Sequence, residues 1–377
     1  QRGDLWGGLA AMLVALPAAI GFGVTVYSAL GPGQAVHGAF AGIVGTVVLG
    51  IVAAALGGTD RLVSAPCAPA AAVLAAFALE MVRRGDPAAL VVLALVLIGV
   101  LAGLFQIVLS VLGVGRLIQY IPYPVVSGYL TGVGLIIIGS QVPVLLGVAE
   151  GLPWWQAMAD PLRWDWRSIA IGATTAAVVL AATRRPQRLP ATILGIAAGI
   201  AVYAGLALVD PRLRTLDGNT LVLGPLGASG QGFLDAFVQR WSQSGQIGWP
   251  HVAGLLVSAL TLAALLSIDT LKTCVVLDRL TRSRHDSDRE LRAQGVANIV
   301  AAACGGLSGA GTMGATLVGL NGGSRTRATG AVAGLLALIA ALLLGGFIAL
   351  VPAPTLAGIL LAIGVLMIDR EPIRFLR

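Results

Sequence analysis

The sequence predicts an all-α polytopic membrane protein, and three observations support this prediction. The chain of 377 residues is 57% hydrophobic and only 11% charged, and its mean hydropathy is +0.91. Soluble domains are about 45–50% apolar and about 25% charged. The apolar runs are continuous and often close to the length of a membrane-spanning helix, unlike the short alternating segments of a β-barrel. The acidic residues lie almost entirely between these runs or at their ends.

Twelve apolar runs predict the spans, and a long polar stretch divides them into seven and five. The division predicts a first repeat over 1–210, an extracellular connection over 211–248 and a second repeat over 249–377. The runs lie at 5–29, 34–57, 62–81, 88–113, 117–148, 168–183, 189–209, 249–276, 293–307, 311–323, 327–351 and 354–368.

The basic residues predict the orientation. If the N-terminus is cytoplasmic and each run crosses once, seventeen of the 24 Lys and Arg residues fall in inside loops, as the positive-inside rule expects. We therefore expect a multi-pass protein of the bacterial inner membrane. These loops account for the net charge of +7 without a nucleic-acid partner. The cluster RLTRSRHDSDRELR (279–292) is interpreted as a solvated cytoplasmic connection with an exposed His285.

The fifth and twelfth runs resemble each other. IPYPVVSGYLTGVGLIII (121–138) and VPAPTLAGILLAIGVLMI (351–368) share two prolines, two glycines, a leucine and the final isoleucine. The runs are seven spans apart, and an odd offset inverts the topology. This pattern is typical of inverted-repeat transporters, whose substrate sites lie near the membrane midplane at broken helices.

The third and tenth runs predict those broken helices. They contain SAPCAPAA (64–71) and SGAGTMGA (308–315), which are both short, begin with Ser and are interrupted by Pro or Gly. An extended segment that leads into a half-helix exposes N–H groups and the positive end of the helix dipole. Two such ends would form an anion site without a basic side chain. Two ordinary kinked spans are the alternative.

Three stretches are similar to the SulP-type anion transporters, the bacterial relatives of the solute carrier 26 family. They are LGVGRLIQYIPYPVVSGYLTGVGLIIIGSQVPVLLG (112–147), LTRSRHDSDRELRAQGVANIVAAACGG (280–306) and VPAPTLAGILLAIGVLMID (351–369). The resemblance runs from Asp4 to the C-terminus. It implies a 7+7 inverted-repeat fold with core and gate domains, in which spans 3 and 10 are half-helices. The match ends at span 12, so we expect a part of a longer protein that lacks spans 13 and 14 and the regulatory STAS domain.

The resemblance also implies where the site lies. The anion is expected between the N-termini of spans 3 and 10, beside Asp269, the span-8 acid, and Thr273 on the same helical face. The family often has an arginine where this chain has Ala315, so the site holds less fixed positive charge. The family pattern has a glutamine where this chain has Ala18, so a polar substrate contact is missing. The expected substrate-binding residues are Phe22, Ala65, Pro66, Cys67, Ala68, Thr312, Met313, Gly314 and Ala315.

The stretch SIDTLKTC (267–274) places Asp269 and the only lysine, Lys272, one helical turn apart in an apolar run. Inserting an acidic side chain at mid-span costs roughly 2.5–3.5 kcal/mol of free energy, so such a residue suggests a functional role. Asp269 either takes a coupling proton, binds sodium or pairs with Lys272 as a structural group. Lys272 is expected to extend to the cytoplasmic surface; the alternative is that it shares the charge of Asp269 and partly replaces the missing arginine. The sodium set would be Asp269, Thr273, Gly311 and Thr312.

These patterns predict a secondary active transporter of a small anion, in the first instance a proton-coupled symporter of a dicarboxylate such as fumarate. A sodium-coupled bicarbonate or sulfate transporter and an uncoupled anion channel are alternatives. A nucleobase permease would need acids in spans 8 and 10, and the tenth run has none. Because HExxH, nucleophile-elbow and P-loop motifs are absent from the sequence, no enzyme is expected. We expect no cofactor besides the coupling ion, and a homodimer by analogy with the family.

Overall fold

Thirteen α-helices and two short β-strands make up the part of the chain that the computed structural model describes. This part comprises residues 2–31, 34–116, 123–148, 154–184, 191–210, 213, 219, 221–222, 249–349 and 351–368. Each predicted run contains one helix. The helices are α1 (Arg2–Ser28), α2 (Ala35–Leu56), α3 (Ala68–Arg83), α4 (Ala88–Val111), α5 (Tyr123–Leu145), α6 (Trp154–Ala159), α7 (Trp166–Thr183), α8 (Ala191–Val209), α9 (Trp249–Thr281), α10 (Ser287–Ala303), α11 (Met313–Asn321), α12 (Ala328–Ala349) and α13 (Ala353–Met367), and the strands are β1 (Ser64–Pro66) and β2 (Gly309–Gly311).

Six helices in the described part of the chain are long and apolar enough to cross a membrane: α1, α2, α4, α7, α8 and α9 from Gly254 onward. Shorter apolar segments lie in α5, α12 and α13. A helix satisfies its own backbone hydrogen bonds, so it is a structure that hydrocarbon tolerates. The chain is therefore a multi-pass membrane protein.

The charged connection predicted over 279–292 is largely helical instead. Helix α9 continues to Thr281, and α10 begins at Ser287. Asp286 caps α10, because its carboxylate accepts a hydrogen bond from the backbone N–H of Arg289 at 3.0 Å, as N-cap aspartates commonly do. The expectation of an exposed His285 is wrong: its side chain is 9% exposed, and Nδ1 lies 2.7 Å from the Asp278 carboxylate.

The described residues form two compact units. Unit 1 contains those within Gln1–Leu30, His37–Tyr120 and Gly227–Leu343, and unit 2 contains those within Gly31–Val36, Ile121–Leu226 and Leu344–Arg377. Both units combine segments from either side of the connection predicted over 211–248. That connection lies outside the described residues except at 213, 219, 221 and 222.

Glycines allow close helix crossings in unit 1. A Cβ atom on Gly103 of α4 would lie 2.5 Å from the carbonyl oxygen of Gly295 in α10, and one on Gly295 would lie 2.6 Å from that of Gly103. A Cβ on Gly50 of α2 would lie 3.0 Å from the Cα of Gly334 in α12. Small residues at such crossings let helix backbones approach closely in a membrane, where packing drives association.

Unit 2 has a similar crossing at the positions matched in the internal repeat. Helix α13 packs against α5, α7 and α8. A Cβ atom on Gly134 of α5 would lie 2.7 Å from the carbonyl oxygen of Gly364 in α13, and one on Gly364 would lie 2.9 Å from that of Gly134. The matched glycines of the two runs therefore meet each other.

Candidate functional site

Two three-residue strands in unit 1 bring the third and tenth predicted spans together. All six strand residues are buried. The strands are antiparallel, so α3 and α11, which each begin two residues after a strand ends, leave the pair in opposite directions. The predicted extended segments before α3 and α11 are thus observed. In the register, Ser64 lies opposite Gly311, Ala65 opposite Ala310 and Pro66 opposite Gly309.

The small residues of β2 are a consequence of this pairing. A Cβ atom on Gly309 would collide with the backbone carbonyl of Ala65, and one on Gly311 would lie 2.8 Å from the side chain of Leu62. Larger residues would separate the two strands. Gly309 is therefore needed for the close approach of β2 to β1, and Gly311 for the close approach of β2 to Leu62.

Buried amide side chains anchor β2 to α10 and α4. Asn298 accepts a hydrogen bond from the Gly309 backbone N–H at 2.8 Å and donates one to the Gly309 carbonyl at 3.0 Å. The same Asn298 amide nitrogen donates to the Gln106 side-chain oxygen at 2.9 Å. Asn298 and Gln106 are fully buried. A buried polar group that is hydrogen-bonded fixes a unique arrangement, so this network sets the position of β2.

A second polar chain anchors β1. The Gln294 amide nitrogen donates to the Ser64 hydroxyl at 2.7 Å and to the Glu290 carboxylate at 2.9 Å. The other Glu290 oxygen accepts from the Gly58 backbone N–H at 2.9 Å. Glu290 lies in the polar first turn of α10. Burial raises the pKa of its carboxyl above the ordinary value of 4.5, although its hydrogen bonds act in the opposite direction.

Threonines fasten the strands to α9 and α11. The Gly311 backbone N–H donates to the Thr270 hydroxyl at 3.0 Å. The Thr312 backbone N–H and hydroxyl donate to the Val63 carbonyl at 2.9 Å and 3.2 Å. The Val63 N–H donates to the Thr316 hydroxyl at 3.1 Å. Helix α9, which carries Asp269, is therefore hydrogen-bonded directly to Gly311, the last residue of β2.

Sequence reasoning did not single out Gln106, Thr270, Glu290, Gln294 and Asn298 as site residues. One signal was available, because Glu290, Gln294 and Asn298 are each four residues apart and so share one face of α10. Gln106 interrupts an otherwise apolar run. Their partners on other elements depend on tertiary structure, which spacing does not give.

Asp269 forms an ion pair within its own helix. The Lys272 Nζ lies 2.9 Å from the Asp269 Oδ1, with the two side chains 24% and 12% exposed. The expectation that Lys272 extends to the surface is wrong, and the alternative of a shared charge describes the geometry. The spacing of three residues brings the two side chains together on one face of α9. Thr273 is bonded within the same helix, because its hydroxyl donates to the Asp269 backbone carbonyl at 2.9 Å.

The start of α3 is enclosed. The expected site residues Ala65, Pro66, Cys67 and Ala68 are all buried. Cys67 is the N-cap residue of α3. Thr270, the neighbour of Asp269, accepts a hydrogen bond from Gly311, which lies opposite Ser64 in the strand pair. The helix turn that carries the ion pair therefore lies beside the strand that leads into α3.

The start of α11 is more open. Its N-cap residue, Thr312, makes no side-chain hydrogen bond to the first turn, because its hydroxyl is used on Val63. Thr312 and Met313 are half-buried and Gly314 is exposed, whereas Ala315 is buried. No atom lies within 4 Å of a Cβ placed on Gly314. The uncapped N–H groups of this helix end are thus the more accessible of the two.

Phe22, the remaining expected site residue, is buried in α1 at 5% exposure. Helix α1 packs against β1, α3 and α11. All the expected site residues therefore belong to unit 1. Among the residues described, no group of three or more His, Cys, Asp or Glu side chains is arranged to hold a metal ion.

These features define a multi-pass helical membrane protein in which two short strands start two broken helices beside an ion pair. A family model described as the sulfate permease family matches residues 2–377. The chain therefore belongs to the sulfate permease family, the SulP family of the predicted resemblance.

The chain is also similar to individual members. It is 30% identical to the bicarbonate transporter BicA of Picosynechococcus sp. over 98% of this chain and 62% of that protein. The identity to BicA of Synechocystis sp. is 32%, over 98% and 61%. YbaR of Bacillus subtilis, whose name proposes sulfate transport, is 22% identical over 100% and 69%. The chain thus spans less than two thirds of the length of both BicA relatives.

Solved structures show the same fold. The transmembrane domain of a cyanobacterial bicarbonate transporter BicA superposes with a TM-score of 0.83 at 30% identity, over 99% of this chain and 90% of that one. The structure of SLC26A9 gives a TM-score of 0.75 at 16% identity, over 99% and 59%. The fold of the chain is therefore that of the solute carrier 26 membrane domain.

Proposed function

We propose that the chain is the membrane part of a secondary transporter of a small inorganic oxyanion. The observation that carries this proposal is the antiparallel pair of β1 and β2, which starts α3 and α11 in opposite directions beside Asp269 and Lys272. Helix N-termini bind anions through free N–H groups and the helix dipole. Transport, rather than catalysis, is the activity proposed.

A 7+7 inverted repeat is part of the proposal, and symmetric contacts support it. Ala65 and Ala310 pair in the strands. Gly50 and Gly295 are separated by the same number of residues as these two alanines, so they would occupy equivalent positions in the two repeats. Gly295 crosses α4 closely, and Gly50 crosses α12 closely. Helices α4 and α12 are the fourth and eleventh predicted spans, which are seven apart. Equivalent positions therefore make equivalent contacts, as two repeats related by a pseudo-two-fold axis would.

The anion would bind at the open end of α11, near Met313 and Gly314. The buried start of α3, with Cys67 as its N-cap residue, would contribute its dipole from the other side of the strand pair. Phe22 would pack at the edge of the site. The positive charge of the family arginine, which this chain replaces with Ala315, would be supplied in part by Lys272, the partner of Asp269.

Asp269 would carry the coupling ion, and a proton is the ion we propose. When Asp269 takes a proton, the ammonium of Lys272 is no longer neutralised and attracts the anion. The bound proton would then raise the affinity for the anion, and the bound anion would raise the affinity for the proton by the same factor, as linkage requires. A sodium ion bound by Asp269, Thr273, Gly311 and Thr312 is the alternative.

The cargo candidates are sulfate and bicarbonate. Similarity to the two BicA proteins favours bicarbonate, and the family description favours sulfate. The chemistry divides them, because a proton carried with bicarbonate is equivalent to carbon dioxide, which crosses membranes unaided. Proton coupling is therefore useful for sulfate, and bicarbonate would need sodium or an exchanged anion. The expectation of a dicarboxylate such as fumarate finds no support among the relatives.

The other parts of the proposal follow the sequence. The N-terminus would be cytoplasmic in a bacterial inner membrane, because seventeen basic residues then lie inside. A homodimer is proposed by analogy with the family alone. An uncoupled channel remains a competing function that transport experiments can distinguish.

Blocking the open end of α11 tests the site. Gly314→Leu adds a side chain where nothing lies within 4 Å of the new Cβ, so the fold should be kept. The leucine would occupy the proposed anion-binding site. We expect the initial rate of radiolabelled sulfate or bicarbonate uptake into proteoliposomes to fall at least tenfold, with an unchanged melting temperature in detergent. The matched control is Gly254→Leu in α9, which also has open space around it and should transport normally. Normal uptake by Gly314→Leu would contradict the proposed site.

A further inference from the structure

The charge balance around Asp269 bears on which cation the site uses. Asp269 is the carboxylate of the predicted sodium set, and its Oδ1 is 2.9 Å from the Lys272 ammonium. A lysine ammonium is a compact point charge with three donors. It therefore occupies one of the two carboxylate oxygens to which a monovalent cation bound to Asp269 would coordinate.

The pair is held in a partly buried setting. The side chain of Asp269 is 12% exposed and that of Lys272 is 24% exposed, and Asp269 lies within an apolar helix. Removing one partner of such a pair leaves the other charge uncompensated, which is strongly unfavourable in a span. Lys272 also lies on the same helix, one turn from Asp269, so it moves through the transport cycle together with that residue.

The two threonine hydroxyls of the sodium set donate their hydrogen atoms to backbone carbonyls, which leaves their oxygen lone pairs available to a cation, so the carboxylate is the ligand that decides sodium binding. The Thr273 hydroxyl donates to the Asp269 backbone carbonyl, and the Thr312 hydroxyl donates to the Val63 carbonyl. A sodium ion needs several oxygen ligands, with carboxylate the strongest among those available here. It would have to share that carboxylate with an ammonium of the same sign.

We infer that Lys272 is a built-in replacement for a coupling sodium ion, so that this transporter works without sodium. This role of Lys272 rests on the proposed function, and within it favours proton-coupled sulfate transport over sodium-coupled bicarbonate transport. The Lys272 ammonium is covalently attached and cannot dissociate to either side of the membrane. No sodium ion is then bound and released during transport, so a sodium gradient cannot drive it. Removing the ammonium should open the place beside Asp269 to sodium.

The transport test compares wild type with Lys272→Gln and Lys272→Arg in proteoliposomes. Radiolabelled sulfate and bicarbonate are supplied under an inward proton gradient, with either sodium or N-methylglucamine as the external cation. For the wild type and for Lys272→Arg, we expect the uptake rate in sodium to agree within twofold with the rate in N-methylglucamine. We expect the Lys272→Gln rate to fall at least tenfold in N-methylglucamine and to recover at least threefold in sodium.

Wild-type uptake that requires sodium would overturn the inference, and so would sodium-independent uptake by Lys272→Gln at the wild-type rate. A wild-type protein that moves neither anion under any gradient would instead count against the proposed function.

A binding test does not depend on transport or on the folding of the variants. The melting temperature of the wild-type protein in detergent is measured in sodium chloride and in N-methylglucamine chloride at equal ionic strength. We expect no difference between the two salts. Stabilisation by sodium alone would overturn the role assigned to Lys272, whatever the uptake experiments show.

Discussion

Asp269 and Lys272 are the residues on which the proposed coupling depends. The pair lies three residues apart on α9, which Thr270 joins to β2 through the Gly311 N–H. Gly311 lies opposite Ser64 in the strand pair, so this turn of α9 lies beside the strands from which α3 and α11 start. A change in the protonation of Asp269 would therefore act on an anion bound between the two broken helices.

Substituting Asp269 by asparagine separates coupling from binding. Asp269→Asn keeps the size of the side chain but removes the carboxylate, so it leaves the Lys272 ammonium without a counter-charge. We expect proton-driven accumulation of sulfate in proteoliposomes to be lost, with at least a tenfold lower final level. Binding of the anion in detergent should persist, because the positive charge beside it is kept. Accumulation at the wild-type level would rule out Asp269 as the coupling residue.

At the scale of the elements, glycine crossings set the spacing of the helices. Gly103 and Gly295 bring α4 and α10 into backbone contact. Helix α10 carries Gln294 and Asn298, the side chains that hold β1 and β2. Any change that separates α4 from α10 would therefore shift the strands from which α3 and α11 start.

Alanine at these crossings should weaken both stability and transport. Gly103→Ala and Gly295→Ala each place a methyl group within 3 Å of a backbone carbonyl, and overpacking of this kind costs about 1–3 kcal/mol. We expect a lower melting temperature in detergent for both variants. Gly205→Ala in α8 is the matched control, because its Cβ meets open space, and alanine there should be neutral or stabilising by about 0.5–1 kcal/mol. Equal melting temperatures for all three would refute the role of the crossing.

The elements were more predictable from the sequence than the contacts between them. Each apolar run became one helix, because a helix is the structure that satisfies backbone hydrogen bonds in lipid. The interruptions in SAPCAPAA and SGAGTMGA correctly predicted extended segments before α3 and α11. The boundary at 279–292 was missed, since Asp286 starts a helix within a charged stretch that hydropathy treats as a loop.

The residues of the candidate site remain a prediction, and the hydrogen bonds between them depend on the fold. The resemblance pointed to Asp269 and to the start of α11, and both lie in unit 1. The preference for an extended Lys272 failed because the spacing allowed either arrangement, and only the fold decides between them. The partners Gln106 and Asn298 come from different helices, so no local pattern could pair them.

At the scale of the whole molecule, the chain spans less than two thirds of the length of both BicA relatives. The described residues nevertheless contain both broken helices, the strand pair and the ion pair in one compact unit. If the proposed inverted repeat is correct, alternating access would come from one bundle rocking against the other around a fixed site near the membrane midplane. Gradient-driven accumulation is the behaviour that separates this mechanism from a channel, which only equilibrates its cargo.

The central claim is best tested by uptake into proteoliposomes that contain the purified wild-type protein. Radiolabelled sulfate, bicarbonate and fumarate are supplied in turn, with an inward proton gradient, an inward sodium gradient or no gradient. We predict that an inorganic oxyanion, sulfate first, accumulates above its external concentration under the proton gradient, and that collapsing the gradient releases it. Uptake that never exceeds equilibration with any of the anions under either gradient would contradict secondary active transport.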